Sequence, residues 1–167
     1  TGLARLNAAK EGGSVETKIY EKTWSKGYTN FALTSYGGNF FIMYQKNEEG
    51  TAVINNIDLN KLETAANAGL MSPNLGTESY RQTWSSGWGN AEFFHLDDKA
   101  YLFINKPGTG DVHIEEISSD GTLVKRVYDK KWSSGWTNID IYYKNDSPQL
   151  MHQKEGTGQT KVCELKF

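Results

Sequence analysis

The sequence predicts an all-β protein built from three similar four-stranded units, and three observations lead to this prediction. A seven-residue motif that begins with tryptophan occurs three times. Short runs of alternating apolar and polar residues follow each copy, which is typical of half-buried strands. Turn residues separate these runs, and 17 glycines among 167 residues fit short strands joined by tight turns. A repeated sequence indicates a repeat architecture, so we expect any function to be repeated as well.

The motif sets the phase of the repeat. It reads WSKGYTN at 24–30, WSSGWGN at 84–90 and WSSGWTN at 132–138. A tyrosine stands four residues before each leading tryptophan, namely Tyr20, Tyr80 and Tyr128. The leading tryptophans are 60 and then 48 residues apart, and the excess falls in 58–77. This segment favours a short helix that ends at Pro73 and Gly76, and we expect it to be an insertion over one turn.

Four strands are predicted in each unit. The first strand follows the motif, with apolar alternation at Phe31 and Leu33, Ala91 and Phe93, and Ile139 and Ile141. After a polar turn, the second strand covers 40–44, 101–104 and 149–152. A glycine-bearing hairpin leads to the third strand, with Ala52, Ile54 and Ile57 matching Val112, Ile114 and Ile117. The fourth strand runs into the next motif.

Both ends of the sequence contain a third strand. Ala4, Leu6 and Ala9 are in register with Val112, Ile114 and Ile117, and Thr160, Val162 and Leu165 form the last such strand. We therefore predict a single domain over 1–167. Its units lie at roughly 1–46, 50–106 and 108–155, with a closing strand at 156–167 and the helical insertion at 58–77.

Three four-stranded units of about 48 residues match a β-trefoil in number and size, and this is the predicted fold. A trefoil closes its sheets without exposed edges. The alternative is a β-propeller, whose blades are also four-stranded meanders. Because propellers have at least about four blades, three units would form one only by oligomerisation.

Composition excludes several classes of partner. The formal net charge of −2 is spread evenly, so no concentrated positive face is available for nucleic acid. No apolar run approaches a membrane span, and no basic segment precedes an apolar one, so we expect neither membrane insertion nor a signal peptide in this chain. The single cysteine, Cys163, cannot form an intramolecular disulfide and leaves the compartment open between secreted and cytoplasmic.

The third copy carries a resemblance to a known family. The run 133–136, followed by Ile139, Ile141 and an aromatic pair at 142–143, then a polar turn and a second strand, resembles the repeat of tachylectin-type lectins. The Asn-Gly turn of that repeat is absent here. The resemblance implies carbohydrate binding, and those lectins are five-bladed propellers. The β-trefoil lectins match the three-fold symmetry, but their Gln-x-Trp signature is absent.

Each repeat offers the groups that sugar recognition requires. A sugar ring stacks its C–H groups on a flat aromatic face, and fixed polar groups bind its hydroxyls. The aromatic residue of the motif stands in a glycine-containing turn, where we expect it to be exposed, and an asparagine follows it. A second amide and a lysine end the second strand. The predicted ligand-binding residues are therefore Tyr28, Asn30, Trp88, Asn90, Trp136, Asn138, Gln45, Lys46, Asn105, Lys106, Gln153 and Lys154.

Structural explanations stand beside these assignments. The leading tryptophans Trp24, Trp84 and Trp132 are identical in all units and are expected to pack between them. The motif aromatics could instead plug one end of a barrel. Asparagine side chains commonly cap turns, and lysines at hairpins are commonly solvated.

No enzyme is predicted. The histidines His95, His113 and His152 occupy inequivalent places and lack metal-ligand spacing, and no Gly-rich phosphate loop precedes a helix. We expect no cofactor and no metal. The prediction is a lectin with up to three similar sites that binds glycans or glycoproteins multivalently, with a homo-oligomer as an option. The alternatives are a protein-binding or protease-inhibitor-like domain acting through 58–77, and a targeting module of a larger toxin or hydrolase.

Overall fold

Antiparallel β-strands account for nearly all of the described chain. The computed structural model describes residues 2–9, 15–24, 27–46, 48–58, 60–61, 64, 68 and 76–167, with side chains from residue 27 onward. The strands are β1 (Gly2–Ala9), β2 (Val15–Trp24), β3 (Tyr28–Tyr36), β4 (Asn39–Lys46), β5 (Thr51–Ile57), β6 (Thr77–Thr83), β7 (Asn90–Leu96), β8 (Lys99–Asn105), β9 (Asp111–Ile117), β10 (Leu123–Lys131), β11 (Trp136–Lys144), β12 (Ser147–Lys154) and β13 (Thr160–Glu164). The all-β prediction is confirmed.

The strands pair only with their neighbours in sequence. Eleven of them form three antiparallel sheets, β3–β6, β7–β10 and β11–β13, and β1 and β2 form a separate hairpin. Each larger sheet begins inside a copy of the motif, at Tyr28, Asn90 or Trp136. The predicted order of first, second, third and fourth strand is therefore confirmed for the two four-stranded sheets.

Tight turns with positive φ join each first strand to the second. The two central residues are Gly37 and Gly38 in one sheet and Asp97 and Asp98 in the next, all with φ between 50° and 79°. Two successive positive φ angles define the hairpin turn that matches the twist of the flanking strands, and Gly, Asn and Asp tolerate it best. The turn at 145–146 has the same geometry. The polar turns expected from the sequence are confirmed.

The strand register shows that the hairpin β1–β2 is the outer half of a repeat. Ala4 pairs with Lys22 just as Ala52 pairs with Gln82 and Val112 with Lys130. In each case the second partner stands two residues before a leading tryptophan. The prediction that the sequence starts with a third strand is therefore confirmed.

The three larger sheets stack face to face, with their first strands side by side. β7 lies against both β3 and β11. One core cluster joins β3–β6 to β7–β10, with Ala32 and Ile54 packing near Ala91 and Leu102. A second cluster joins β7–β10 to β11–β13. At both of these interfaces, one face of a sheet packs against the opposite face of the sheet that follows it in sequence.

The apolar alternation predicts that Phe31 and Leu33 lie on the buried face of β3, and this prediction is wrong. Phe31 and Leu33 are exposed, whereas Ala32 and Thr34 are buried. The equivalent residues of the next unit, Ala91 and Phe93, pack against the preceding sheet. In the described chain only the hairpin β1–β2 precedes β3–β6, so much of that face keeps its contact with solvent.

Finer features of the predicted fold are left open by the described residues. All sheets are open, so neither the closed barrel of a trefoil nor the closed ring of a propeller is confirmed. Most of the insertion at 58–77 and the side chain of Trp24 lie outside the described residues; Asn60, Lys61 and Thr64 within the insertion have helical backbone. Where the structure describes the chain, no helix is long and apolar enough to cross a membrane.

Candidate functional site

The asparagine of each motif is hydrogen-bonded to the amide at the end of the second strand. Asn30 Nδ2 donates to Gln45 Oε1 at 2.9 Å, and Asn90 Nδ2 donates to Asn105 Oδ1 at 2.7 Å. The third unit has the same bond at 2.8 Å, from Asn138 to Gln153. Six of the twelve predicted ligand-binding residues are therefore brought together in pairs, one pair in each unit.

Two of these pairs also join one unit to the next. Asn105 Nδ2 donates to the carbonyl oxygen of Trp136 at 3.0 Å, and Asn30 Nδ2 donates to that of Trp88 at 2.9 Å. Gln45 and Asn105 are fully buried. A buried amide is stabilising when its hydrogen bonds are made, as they are for Asn105, whereas Gln45 Nε2 is buried without a partner. This arrangement fixes the turn of the next motif and leaves little of the amide surface for a ligand.

The motif tryptophans are buried, so the expectation that they are exposed is wrong. Only 5% of Trp88 and 4% of Trp136 is accessible to solvent. Trp88 packs into the core between the first two larger sheets. Tyr28, the equivalent of these tryptophans in the first unit, is half-buried and meets Tyr44 edge to face.

Basic and aromatic side chains cover both indoles. Lys106 Nζ lies 4.9 Å from the ring centre of Trp88, and the rings of His113 and Trp84 lie 4.7 Å and 6.0 Å from it. Trp136 has similar surroundings, with the stacked ring of His152 at 4.3 Å, Lys154 at 5.7 Å and a second lysine, Lys161, at 5.0 Å. The attraction of a cation for an indole face stabilises such contacts. Lys46 in the first unit instead forms an ion pair with Glu49.

A groove of about 410 Å³ runs between the outer strands of the sheets β3–β6 and β7–β10. We call it the inter-sheet groove. Its volume falls within the range of about 300–1,000 Å³ that is usual for small-molecule sites. It is lined by Tyr80, Gln82, Thr83, Trp84, Ser85, Trp88, Ile104, His113, Glu115, Leu123, Val124, Lys125 and Arg126.

One wall of the inter-sheet groove is aromatic and hydrogen-bonded. Trp84 Nε1 donates to the hydroxyl of Tyr80 at 3.1 Å, and that hydroxyl donates to Gln82 Oε1. Burial raises the pKa of Tyr80, so its hydroxyl is neutral at physiological pH. Tyr80 and Trp84 are partly buried and pack on the core. Their positions are therefore fixed before any ligand arrives.

The other wall bears charge. Arg126 Nε donates to Glu115 Oε1 at 2.8 Å, and the guanidinium also reaches Asp129 at 3.1 Å. Arg126 is partly exposed and has five N–H donors, so further donors face solvent and the groove. Burial, followed by the charge of Arg126, lowers the pKa of His113, and its Nδ1 is buried without a partner. Exposed Val124 adds apolar surface.

Sequence reasoning selects only Trp88 among the residues of this groove. It expects Trp84 to pack between units and does not select Gln82, Glu115 or Arg126. The signal available is the tyrosine four residues before each leading tryptophan. The same bond forms from Trp132 Nε1 to Tyr128 at 3.1 Å, so this pair is a built feature of the repeat.

A second, wider depression of about 600 Å³ lies at the turns between first and second strands. Three carboxylates line it, those of Asp97, Asp98 and Asp146, together with Tyr36 and His95. Among the residues described, no group of three or more His, Cys, Asp or Glu side chains is arranged to hold a metal ion.

The chain matches no protein-family model, and none of the curated proteins is significantly similar to it in sequence. Function is therefore inferred from the groove and from the repeated geometry around it.

Proposed function

We propose that this protein is a carbohydrate-binding lectin and that the inter-sheet groove is its principal site. The observation that supports the proposal is the aromatic wall of Trp84 and Tyr80 opposite the exposed donors of Arg126. An aromatic face contacts the C–H groups of a sugar ring, and amide and guanidinium groups bind its hydroxyls. The proposal includes no catalytic step and no cofactor.

This site differs from the one predicted from the sequence. Trp88 lies at the back of the groove, where Asn30, paired with Gln45, donates to its carbonyl oxygen and fixes the motif turn, and none of these residues is assigned a stacking role. Trp84 takes that role. Binding at one shallow groove is weak, and we propose that repeated grooves raise the avidity by about 10²–10⁴ when the geometry of a glycan surface matches them.

We further propose that the stacked sheets are blades of a β-propeller. Each is an up-and-down meander, its first strand lies beside those of its neighbours, and no described strand pairs across sheets. A trefoil barrel requires strand pairing between successive units. Ligand sites between successive blades follow naturally from this arrangement, because every interface repeats the same pair of faces.

The proposal is tested on a glycan array with the wild-type protein and two tryptophan variants. Trp84→Ala removes the aromatic wall of the groove. Trp132→Ala is the matched control, because it removes the same residue type and the same hydrogen bond to a tyrosine. We expect Trp84→Ala to abolish binding at the inter-sheet groove, whereas Trp132→Ala, at the interface between β7–β10 and β11–β13, should keep binding at that groove and lose at most the avidity of a second groove. Circular dichroism verifies that both variants are folded.

Surface variants make the test independent of packing changes. Gln82→Ala and Arg126→Ala should each weaken binding at least about tenfold, whereas Lys130→Ala, which stands at the position equivalent to Gln82 outside the groove, should leave it unchanged. Absence of binding by the wild type to any glycan would refute the lectin assignment. Binding that is retained in Trp84→Ala and in Arg126→Ala would place the site elsewhere.

A further inference from the structure

The interface between the sheets β7–β10 and β11–β13 repeats the aromatic wall of the inter-sheet groove. Trp132 Nε1 donates to the hydroxyl of Tyr128 at 3.1 Å, as the equivalent residues do in that groove. The ring of His152 lies 4.8 Å from that of Trp132 and 4.3 Å from that of Trp136. We call the side chains around these rings the Trp136 cluster, which consists of Trp132, Ser133, Trp136, His152, Lys154 and Lys161.

Two lysines converge on the ring of Trp136. Lys161 Nζ lies 5.0 Å from the ring centre, and Lys154 Nζ lies 5.7 Å from it. Lys154 stands opposite Trp136 where β12 pairs with β11, and Lys161 stands opposite His152 where β13 pairs with β12. In the described part of the chain, neither lysine forms an ion pair. Two ammonium groups are therefore held near one ring, and a bound anion would relieve their repulsion.

Two further polar groups of the Trp136 cluster can bind such an anion. Ser133 Oγ accepts hydrogen bonds from Lys154 Nζ and Trp136 Nε1, both at 3.2 Å, so its own proton can be donated to a ligand. His152 is 6% exposed, and its Nδ1 is buried without a partner. Buried polar atoms are normally hydrogen-bonded, and a neutral imidazole donates from Nδ1 in one of its two tautomers. The cluster therefore offers donors of three kinds to an acceptor.

The inter-sheet groove lacks this excess of positive charge. Its Arg126 donates to Glu115 Oε1 at 2.8 Å, so a cation and a carboxylate are paired there. Cys163 stands at the position equivalent to Glu115, and Lys161 stands at the position equivalent to His113. At these two positions the Trp136 cluster has one more cation and one fewer carboxylate. Because such groups decide which substituents a site accepts, the two sites should bind different sugars.

We propose that the Trp136 cluster is a second glycan site and that it binds sugars bearing a carboxylate or a sulfate group. This inference rests on the proposed lectin function and names the ligand class of a further site. The anionic group accepts hydrogen bonds from Lys154, Lys161 and the Ser133 hydroxyl. The sugar ring lies against Trp132, which is partly exposed. Charge-assisted hydrogen bonds are about twice as strong as neutral ones, so the anion dominates recognition.

Surface-bound sugar conjugates test the proposal with the wild-type protein. The probes are glucose and galactose, the uronic acid of each sugar, and each sugar sulfated at the same carbon. Each acidic probe differs from its neutral parent at one carbon only, so a difference in affinity reports the anion and shows whether carboxylate or sulfate is preferred. We expect at least one acidic probe to bind about tenfold or more tightly than its parent. This advantage should shrink as NaCl rises from about 50 to 500 mM, since salt screens exposed charges.

Variants of Lys161 locate the binding. Lys161→Gln removes the ammonium group and should lower the affinity for the acidic probe at least about tenfold, while neutral probes bind as before. Lys161→Arg keeps a cation and should restore the binding. Lys144→Gln is the matched control, because it removes an exposed lysine from the opposite end of β11 and should change neither affinity. Urea unfolding verifies that all three variants are folded.

Each failure of this test has a distinct meaning. A wild type that binds neutral probes without preferring an acidic one would overturn this inference and leave the lectin assignment standing. A wild type that binds no acidic probe would also exclude it, and the glycan array decides separately on the lectin assignment. Acidic binding that Lys161→Gln retains would mean that this lysine only covers the indole. Equal binding to a polyglutamate surface would show a response to charge alone, which excludes a sugar site.

Discussion

Replacing Asn105 with alanine tests whether the repeated amide pairs are structural. Asn105 accepts a hydrogen bond from Asn90 Nδ2 at 2.7 Å and donates one to the carbonyl oxygen of Trp136 at 3.0 Å. The side chain is fully buried. Alanine removes both bonds and leaves a donor and an acceptor without partners. Asn138→Ala is the matched control, because its equivalent bond to Gln153 lies at the surface.

The expected magnitude follows from burial. Each hydrogen bond contributes a net free energy of about 1 kcal/mol, and each polar group left unpaired in a buried site costs about 1–3 kcal/mol. Because part of that cost is relieved when the site relaxes, we expect Asn105→Ala to lower the free energy of unfolding by about 2–4 kcal/mol. In Asn138→Ala, water replaces the lost partner, so the change should stay within about 0.5 kcal/mol.

Urea denaturation of the two variants beside the wild type measures this difference. The comparison is valid where the dependence on urea concentration is unchanged, since the shift in midpoint then reports stability alone. Equal losses of stability in both variants would show that the burial of Asn105 is not what makes its replacement costly. A stable Asn105→Ala variant that no longer binds glycan would return this residue to the ligand site.

Two further predictions concern histidine and glycine. Burial, followed by the charge of Lys161, lowers the pKa of His152, so the unfolded chain takes up a proton that the folded protein resists. Stability should therefore be complete above about pH 6.5 and decrease as the pH falls below it. His152→Phe keeps a ring beside Trp136 and should make the free energy of unfolding less dependent on pH, as measured by urea titrations from about pH 7.5 to 5.5. An unchanged dependence on pH would show that His152 does not contribute to it. Gly110→Ala should lower the free energy of unfolding by more than about 2 kcal/mol, because its Cβ would overlap the carbonyl oxygen of Trp132. Gly158→Ala should lower it by about 1 kcal/mol from positive φ alone, since nothing lies within 4 Å of its Cβ. Equal losses in thermal or urea unfolding would exclude the clash as the cause.

The strands and turns were predictable because their causes are local. The apolar residues at 91 and 93 and at 139 and 141 follow the two-residue period of a strand, and the paired aspartates at 97–98 tolerate the positive φ of their turn. Equivalence of Ala4 with Val112 was visible in the sequence because a repeat preserves register. These features depend on residues within one unit.

The faces that pack were not predictable, because burial depends on which unit lies next. Phe31 and Leu33 have the same apolar pattern as Ala91 and Phe93, yet only the second pair has a complete sheet before it. The exposure of Trp88 was misjudged for a similar reason. Its turn is a surface turn within its own unit, but a lysine and a histidine cover the indole.

Identity between repeats is therefore a guide to packing more than to binding. The leading tryptophans whose side chains are described, Trp84 and Trp132, each donate to the tyrosine four residues before them, and the three motif asparagines each donate to the amide that ends the second strand. The groove residues change between units: Gln82 corresponds to Lys130, and Glu115 corresponds to Asn55 and Cys163. Because hydrogen-bonding groups decide which hydroxyls of a sugar are recognised, grooves that differ at these positions should not share a ligand preference. The sequence motif that first reveals the repeat would therefore be the part of each unit that least determines what is bound.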